Sequence, residues 1–162
     1  SLHDALPICK KLIILKAFTK LYGMAGVRLG YCLCSDTELL ARMRAAGQPW
    51  AVSSLAQAAG IAALDETEYV AKVRALIEAQ RPVLADGLRA LGLRVIEGRA
   101  NYLLFRAPEA LGEALRRKGA VLRSCGNYPG LDASWYRTAV RTENENRQLL
   151  ALLAETLPEV AQ

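Results

Sequence analysis

The chain has 162 residues, 52% of them hydrophobic, and 21 Lys and Arg against 16 Asp and Glu give it a formal charge of +5. That is enough apolar material for one core or for parts of two, while the 6% aromatic content and the scatter of basic residues through Glu-containing stretches argue against a nucleic-acid-binding stripe. No apolar run approaches the roughly 20 residues of a membrane span, no secretory leader is evident, and a single histidine, His3, with Cys9, Cys32, Cys34 and Cys125 in no C-x-x-C pair, speaks against a structural zinc site.

In chain order, Ser1 to Ile8 carry no useful periodicity and look like translated sequencing-adaptor sequence. Residues 1–9 are therefore set aside as non-native, and the true chain is expected to enter in mid-fold. The continuous apolar run Lys11-Leu-Ile-Ile-Leu15 predicts a buried strand of a parallel sheet. Lys16 to Arg28, holding Gly23 and Gly26, reads as a loop, and Leu29 to Cys34 as a second strand on which Cys32 and Cys34 share a face, as free thiols in a reducing cytosol. Ser35 or Asp36 can cap a helix that runs to about Ala46, and Ser53 or Ser54 an alanine-rich helix that runs to about Leu64. Over residues 66–91, Tyr69, Val70, Val73, Leu76, Ile77, Val83, Leu84 and Leu88 recur at helical spacing, which predicts a long helix bent or restarted at Pro82. Past Gly92 the grain becomes strand, strand, helix, strand, strand, helix: Leu93 to Ile96, Tyr102 to Phe105, Pro108 to Lys118, Val121 to Arg123, Tyr136 to Val140 and Glu143 to Leu157. That is the pattern of a small α+β domain.

The stretch Phe18-Thr-Lys20-Leu-Tyr-Gly23-Met-Ala-Gly26-Val-Arg28-Leu-Gly30-Tyr31 carries the chemistry. On spacing alone, a lysine with an arginine eight positions later fits a solvated loop as well as a ligand site. The whole string resembles the lysine signature of class I and II aminotransferases, a hydroxyl residue and lysine followed by G-x-x-G-x-R-x-G. The resemblance implies pyridoxal 5'-phosphate (PLP) as cofactor, with Lys20 as its covalent anchor and catalytic base and with Thr19 and Arg28 on its phosphate. The chemistry suits these types. An amine kept neutral by burial and nearby cations can condense with an aldehyde and later move a Cα proton. A hydroxyl and a guanidinium can grip a phosphate, and Gly23 and Gly26 would let the backbone turn close to the ligand. Many relatives carry Ser or Thr three positions before the lysine; here that residue is Ala17, which leaves more of the phosphate grip to Thr19.

Two further arginines enter through the same resemblance. In Tyr136-Arg137-Thr-Ala-Val-Arg141-Thr-Glu143-Asn-Glu145-Asn146, Arg137 matches the arginine that forks onto the substrate α-carboxylate. By spacing alone it would as readily pair with Glu143 or Glu145. In Leu122-Arg123-Ser-Cys-Gly-Asn127-Tyr-Pro-Gly130-Leu131, Arg123 matches a substrate-phosphate arginine of the histidinol-phosphate aminotransferase branch, and the run as a whole looks most like the threonine-phosphate decarboxylase branch, which acts in cobalamin synthesis.

The resemblance spans about residues 10 to 157. It implies an α/β chain that is the C-terminal part of a PLP-dependent transferase fold, with residues 10–75 the remnant of the large PLP-binding domain, a long linking helix, and residues 76–162 the small domain. The family's earlier half supplies the aspartate at the pyridine nitrogen, the ring-stacking aromatic and a Gly-rich phosphate loop. The chain is accordingly expected to be a fragment, inactive alone. The full-length enzyme is expected to be a cytoplasmic homodimer acting on a small anionic amino-acid phosphate, by decarboxylation or, alternatively, by transamination as in histidinol-phosphate aminotransferases. A remote alternative is a noncatalytic basic binding module.

Overall fold

A computed structural model describes residues 11–160; the adaptor-like segment 1–9 lies outside them. The chain divides into two compact units, the first ending at Ala71 and the second beginning at Lys72.

In the first unit, β1 (Ile14–Ala17) leads into a single helical turn, α1 (Phe18–Leu21), and a turn-rich segment then returns the chain through β2 (Gly30–Leu33). The strands pair antiparallel, with Ile14 opposite Leu33 and Ala17 opposite Gly30. This corrects the parallel arrangement expected from the apolar run. A parallel pair needs a crossover that carries the chain back along the sheet, whereas the connection here starts with Phe18 N–H donating to the Leu29 carbonyl at 3.2 Å and turns the chain straight back. The strand is not a buried one either, since Leu15 is 78% exposed. Two helices follow, α2 (Thr37–Ala46) and α3 (Ser54–Asp65). Asp36 caps the first, its Oδ1 accepting from Leu39 N–H at 2.9 Å, and Ser53 caps the second, its Oγ accepting from Ala56 N–H at 3.2 Å.

The long helix α4 (Thr67–Ala90) runs unbroken through Pro82. The second unit then adds β3 (Arg94–Ile96), β4 (Tyr102–Arg106), α5 (Leu111–Arg117), β5 (Arg123–Ser124), β6 (Trp135–Ala139) and α6 (Glu143–Val160). The order expected from the sequence holds, with α5 shorter than its expected span and β5 beginning at Arg123 where a strand was expected from Val121, a side chain that is 70% exposed. The four strands form one antiparallel sheet in the order β3-β4-β6-β5.

Strand alternation sends Leu103, Phe105, Tyr136 and Thr138 to one face, where they are buried with Leu84 and Leu88 of α4, Leu111 and Leu115 of α5 and Leu153 of α6. Tyr136 ties sheet to helix, its hydroxyl donating to the Glu109 carbonyl at 2.5 Å and accepting from Gly112 N–H at 3.2 Å. Buried Asn146 accepts from Arg141 N–H and donates to the Arg141 carbonyl and to Gln80 Oε1, so the exit of β6 is fixed to α6 and α4. Among the described residues no helix is long and apolar enough to cross a membrane.

Candidate functional site

Thr19 and Lys20 sit on the one-turn helix α1, and Arg28 two residues before β2, so all three lie on one hairpin connection. Buried Phe18 anchors that connection, stacking on Tyr22 at 5.1 Å and meeting Tyr31 edge-on at 6.0 Å between ring centroids. Gly23 N–H donates to the Lys20 carbonyl and Met24 N–H to the Phe18 carbonyl, both at 3.3 Å, which curls the backbone around the lysine. Gly23 takes a left-handed φ of +66°, where a Cβ is disfavoured, and a Cβ on Gly30 would lie 2.9 Å from the Lys16 carbonyl oxygen. Gly26 has open space around it.

Arg28 itself adopts φ +57°, a region uncommon for a non-glycine residue. Backbone held there costs of order 1 kcal/mol or more. Thr19 is half-buried, Lys20 and Arg28 are exposed, and among the described residues neither cation is ion-paired. The apolar shielding expected around Lys20 is therefore not supplied by the described residues.

The second constellation lies wholly in the second unit, on the sheet face opposite its core. Arg137 and Arg123 occupy directly opposing positions on β6 and β5, and Leu104 opposes Arg137 from β4. Directly opposed residues share a face, so two guanidinium groups project from neighbouring strands on the same side, an arrangement that repels unless an anion lies between or beside them. Neither arginine is ion-paired among the described residues. The pairing of Arg137 with Glu143 or Glu145 that spacing allowed does not occur: Glu145 bonds Arg141 at 2.6 Å and Glu143 bonds Arg147 at 2.6 Å. The Arg141 hydrogen bond, with Thr142 second, holds the Glu145 carboxyl down to about 2.

Arg123 Nη2 lies 3.4 Å from Asn127 Oδ1, and the Arg137 guanidinium carbon lies 4.4 Å from the centroid of the Tyr102 ring. A cavity of about 160 Å³ beside Arg137 is lined by Tyr102, Leu104, buried Cys125, Tyr128 and Leu131. Sequence reasoning assigned Tyr102 and Asn127 no role. Asn127 follows Arg123 by four positions within the quoted motif, a usable signal. Tyr102 is recognisable only once the strand register is known.

Chemically, the hairpin offers an amine, a hydroxyl and a guanidinium, a donor set for an aldehyde-bearing phosphate. The sheet face offers two guanidiniums for a ligand with two anionic groups.

Residues 3–153 match the family model described as aminotransferase class I and II. The chain is 38% identical over 152 residues to the threonine-phosphate decarboxylase of Salmonella typhimurium, covering 91% of this chain and 42% of that protein. The crystal structure of the histidinol-phosphate aminotransferase from Clostridium acetobutylicum superposes with a TM-score of 0.92 at 30% identity, over 98% of this chain and 49% of that one. The histidinol-phosphate aminotransferase of Sinorhizobium meliloti, solved in complex with pyridoxal-5'-phosphate, matches with a TM-score of 0.70 at 25% identity, over 93% of this chain and 41% of that one. The chain thus spans about two fifths of the length of the curated relatives it matches and about half of the first of these structures. Its α/β architecture is that of the matched part of the aminotransferase fold, and the chain belongs to the class I and II aminotransferase family.

Proposed function

We propose that this chain is part of a PLP-dependent enzyme acting on a phosphorylated amino acid, a decarboxylase of L-threonine phosphate serving cobalamin synthesis. The observation that carries the substrate class is the direct cross-strand opposition of Arg123 and Arg137, two guanidiniums with no carboxylate partner among the described residues. L-Threonine phosphate brings two anionic groups on one small molecule, a carboxylate for Arg137 and a phosphate for Arg123, and each guanidinium can bond its anion in fork geometry. Asn127 steadies Arg123 from the following turn.

The donor set on the hairpin fits PLP. Lys20 Nζ would anchor the aldehyde, and Thr19 Oγ1 with the Arg28 guanidinium would hold the phosphate. When bound, PLP supplies an aldehyde for the substrate amine and a ring that takes up the electrons left when a bond at Cα breaks. With PLP bound, Lys20 Nζ would be the group placed to deliver a proton to Cα where CO₂ has left, or, in transamination, to take the Cα proton. Arg137, by fixing the carboxylate, governs which Cα bond is presented for cleavage. The reading takes residues 10–75 as the remnant of the cofactor domain and residues 76–162 as the small domain of a cytoplasmic homodimer, a reducing setting that suits the free thiols Cys32, Cys34 and Cys125.

A second reading is transamination of histidinol phosphate, supported by the TM-score of 0.92 with an enzyme of that name. Histidinol phosphate carries no carboxylate, so Arg137 would then serve the acidic partner substrate. The two separate in one assay of the PLP-loaded enzyme. Release of CO₂ from L-threonine phosphate supports the first reading. Amino transfer between histidinol phosphate and a 2-oxo acid, without CO₂ release, replaces it with the second, and neither activity overturns both.

A further inference from the structure

We propose that Tyr102 is a positioning residue that holds the Arg137 guanidinium ready for an incoming carboxylate. The inference rests on the reading of Arg137 as the carboxylate-binding arginine. Arg137 is flanked in register by Leu104 on β4 and by Arg123 on β5. Tyr102 lies two residues before Leu104, hence on the same face of β4, and its ring centroid is 4.4 Å from the Arg137 guanidinium carbon, well within cation–π range. Among the described residues no carboxylate pairs with Arg137. The negative face of the Tyr102 ring is therefore the contact that offsets part of the repulsion that Arg123 exerts from directly across the strand pair, leaving the rest for an anion to relieve.

The choice of partner has a consequence for recognition. A carboxylate partner would use the guanidinium N–H groups, whereas an aromatic ring attracts the cation through its quadrupole and leaves those donors available for a bidentate fork. Tyr102 is 39% exposed, and its hydroxyl makes no hydrogen bond among the described residues, so the ring face and not the phenol group carries the effect. A ring has few rotatable bonds, and on a strand paired along its whole length it is a stiff platform.

The test uses the full-length PLP-loaded enzyme, with KM and kcat measured for L-threonine phosphate, or for L-glutamate if the enzyme transaminates, and a carboxylate-free amine phosphate as inhibitor. Tyr102→Leu keeps apolar bulk and removes the π face. It is expected to raise KM about threefold to thirtyfold, more than it lowers kcat, and to leave inhibition by the amine phosphate unchanged. Tyr102→Phe is expected to retain the parent KM, and Tyr102→Met carries the same test should the leucine variant not fold. If Leu and Phe variants behave alike, or if removal of the ring weakens the carboxylate-free inhibitor as much as the substrate, the positioning role is overturned. If Arg137→Gln raises KM while Tyr102→Leu does not, the role of Tyr102 falls and that of Arg137 stands. If Arg137→Gln leaves KM unchanged, the carboxylate reading of Arg137 falls and the role of Tyr102 falls with it.

Discussion

The two compact units bury their apolar residues very differently. In the second, side chains from β4, β6, α4, α5 and α6 converge on a cluster in which Leu84, Leu88, Phe105, Leu111, Leu115 and Leu153 are fully enclosed. In the first, the buried hydrophobic residues among those described are Phe18, Ala56 and Ala63, while Leu15, Leu55 and Ile61 are 78%, 81% and 67% exposed. The second unit thus carries a core of its own, and the first presents its apolar surface outward around the hairpin that bears Lys20. The comparison separates two roles of sequence: the periodicity that builds the core of residues 72–162, and the motif that equips residues 18–28 for chemistry with little local core beneath it.

The sharpest way to break this comparison is to attack each side. Phe105→Ala removes a fully buried ring and is expected to cost about 3–5 kcal/mol in urea unfolding monitored by circular dichroism. A loss below about 1 kcal/mol would mean that the second core is not the stabilising one. Next in size, Arg137→Gln in the PLP-loaded enzyme is expected to raise KM about 10- to 100-fold through loss of a charge-assisted fork. Arg147→Gln, which breaks only the exposed pair with Glu143, should leave KM within twofold of the parent, about the size of an exposed-pair effect; steady-state kinetics on both variants decides.

A smaller effect is expected at the start of α6. Thr142 and Glu145 form a capping box, with Thr142 N–H donating to Glu145 Oε2 at 3.2 Å and Glu145 N–H to Thr142 Oγ1 at 3.4 Å. Thr142→Ala should cost about 1 kcal/mol by the same unfolding assay. Because the folded Glu145 carboxyl sits at about 2 against an ordinary 4.5, its contribution is fully present above about pH 4.5 and disappears as pH falls towards 2. Arg141→Gln, which removes the principal cause of that depression, should flatten the fall of stability over this window, and an unchanged acid profile would refute the assignment. The smallest change is expected at Leu15→Ala, within about 0.5 kcal/mol, since that side chain is largely exposed.

Much of this was legible in the residues. Asp36 and Ser53 each stand just before an apolar-periodic stretch and do cap their helices, and the spacing of Val83, Leu84 and Leu88 located the long helix. Pro82 was expected to bend or restart that helix; it does not restart it, since the helix is continuous from Thr67 to Ala90. The apolar run ending at Leu15 announced a strand and nothing about its partner's direction, because β-branched content is shared by parallel and antiparallel strands; the return at Leu29 decided it. The left-handed backbone of Arg28 left no trace in residue type, since φ there is imposed by the turn. The stacking of Tyr102 under Arg137 depends on register between strands more than thirty positions apart in sequence, which local spacing does not encode.

The account stands most directly on the amine of Lys20. Borohydride reduction of the PLP-loaded enzyme followed by peptide mass spectrometry is predicted to leave the phosphopyridoxyl mass on Lys20 and not on neighbouring Lys16. Label on Lys16 or on any other lysine, or no label at all, would contradict it.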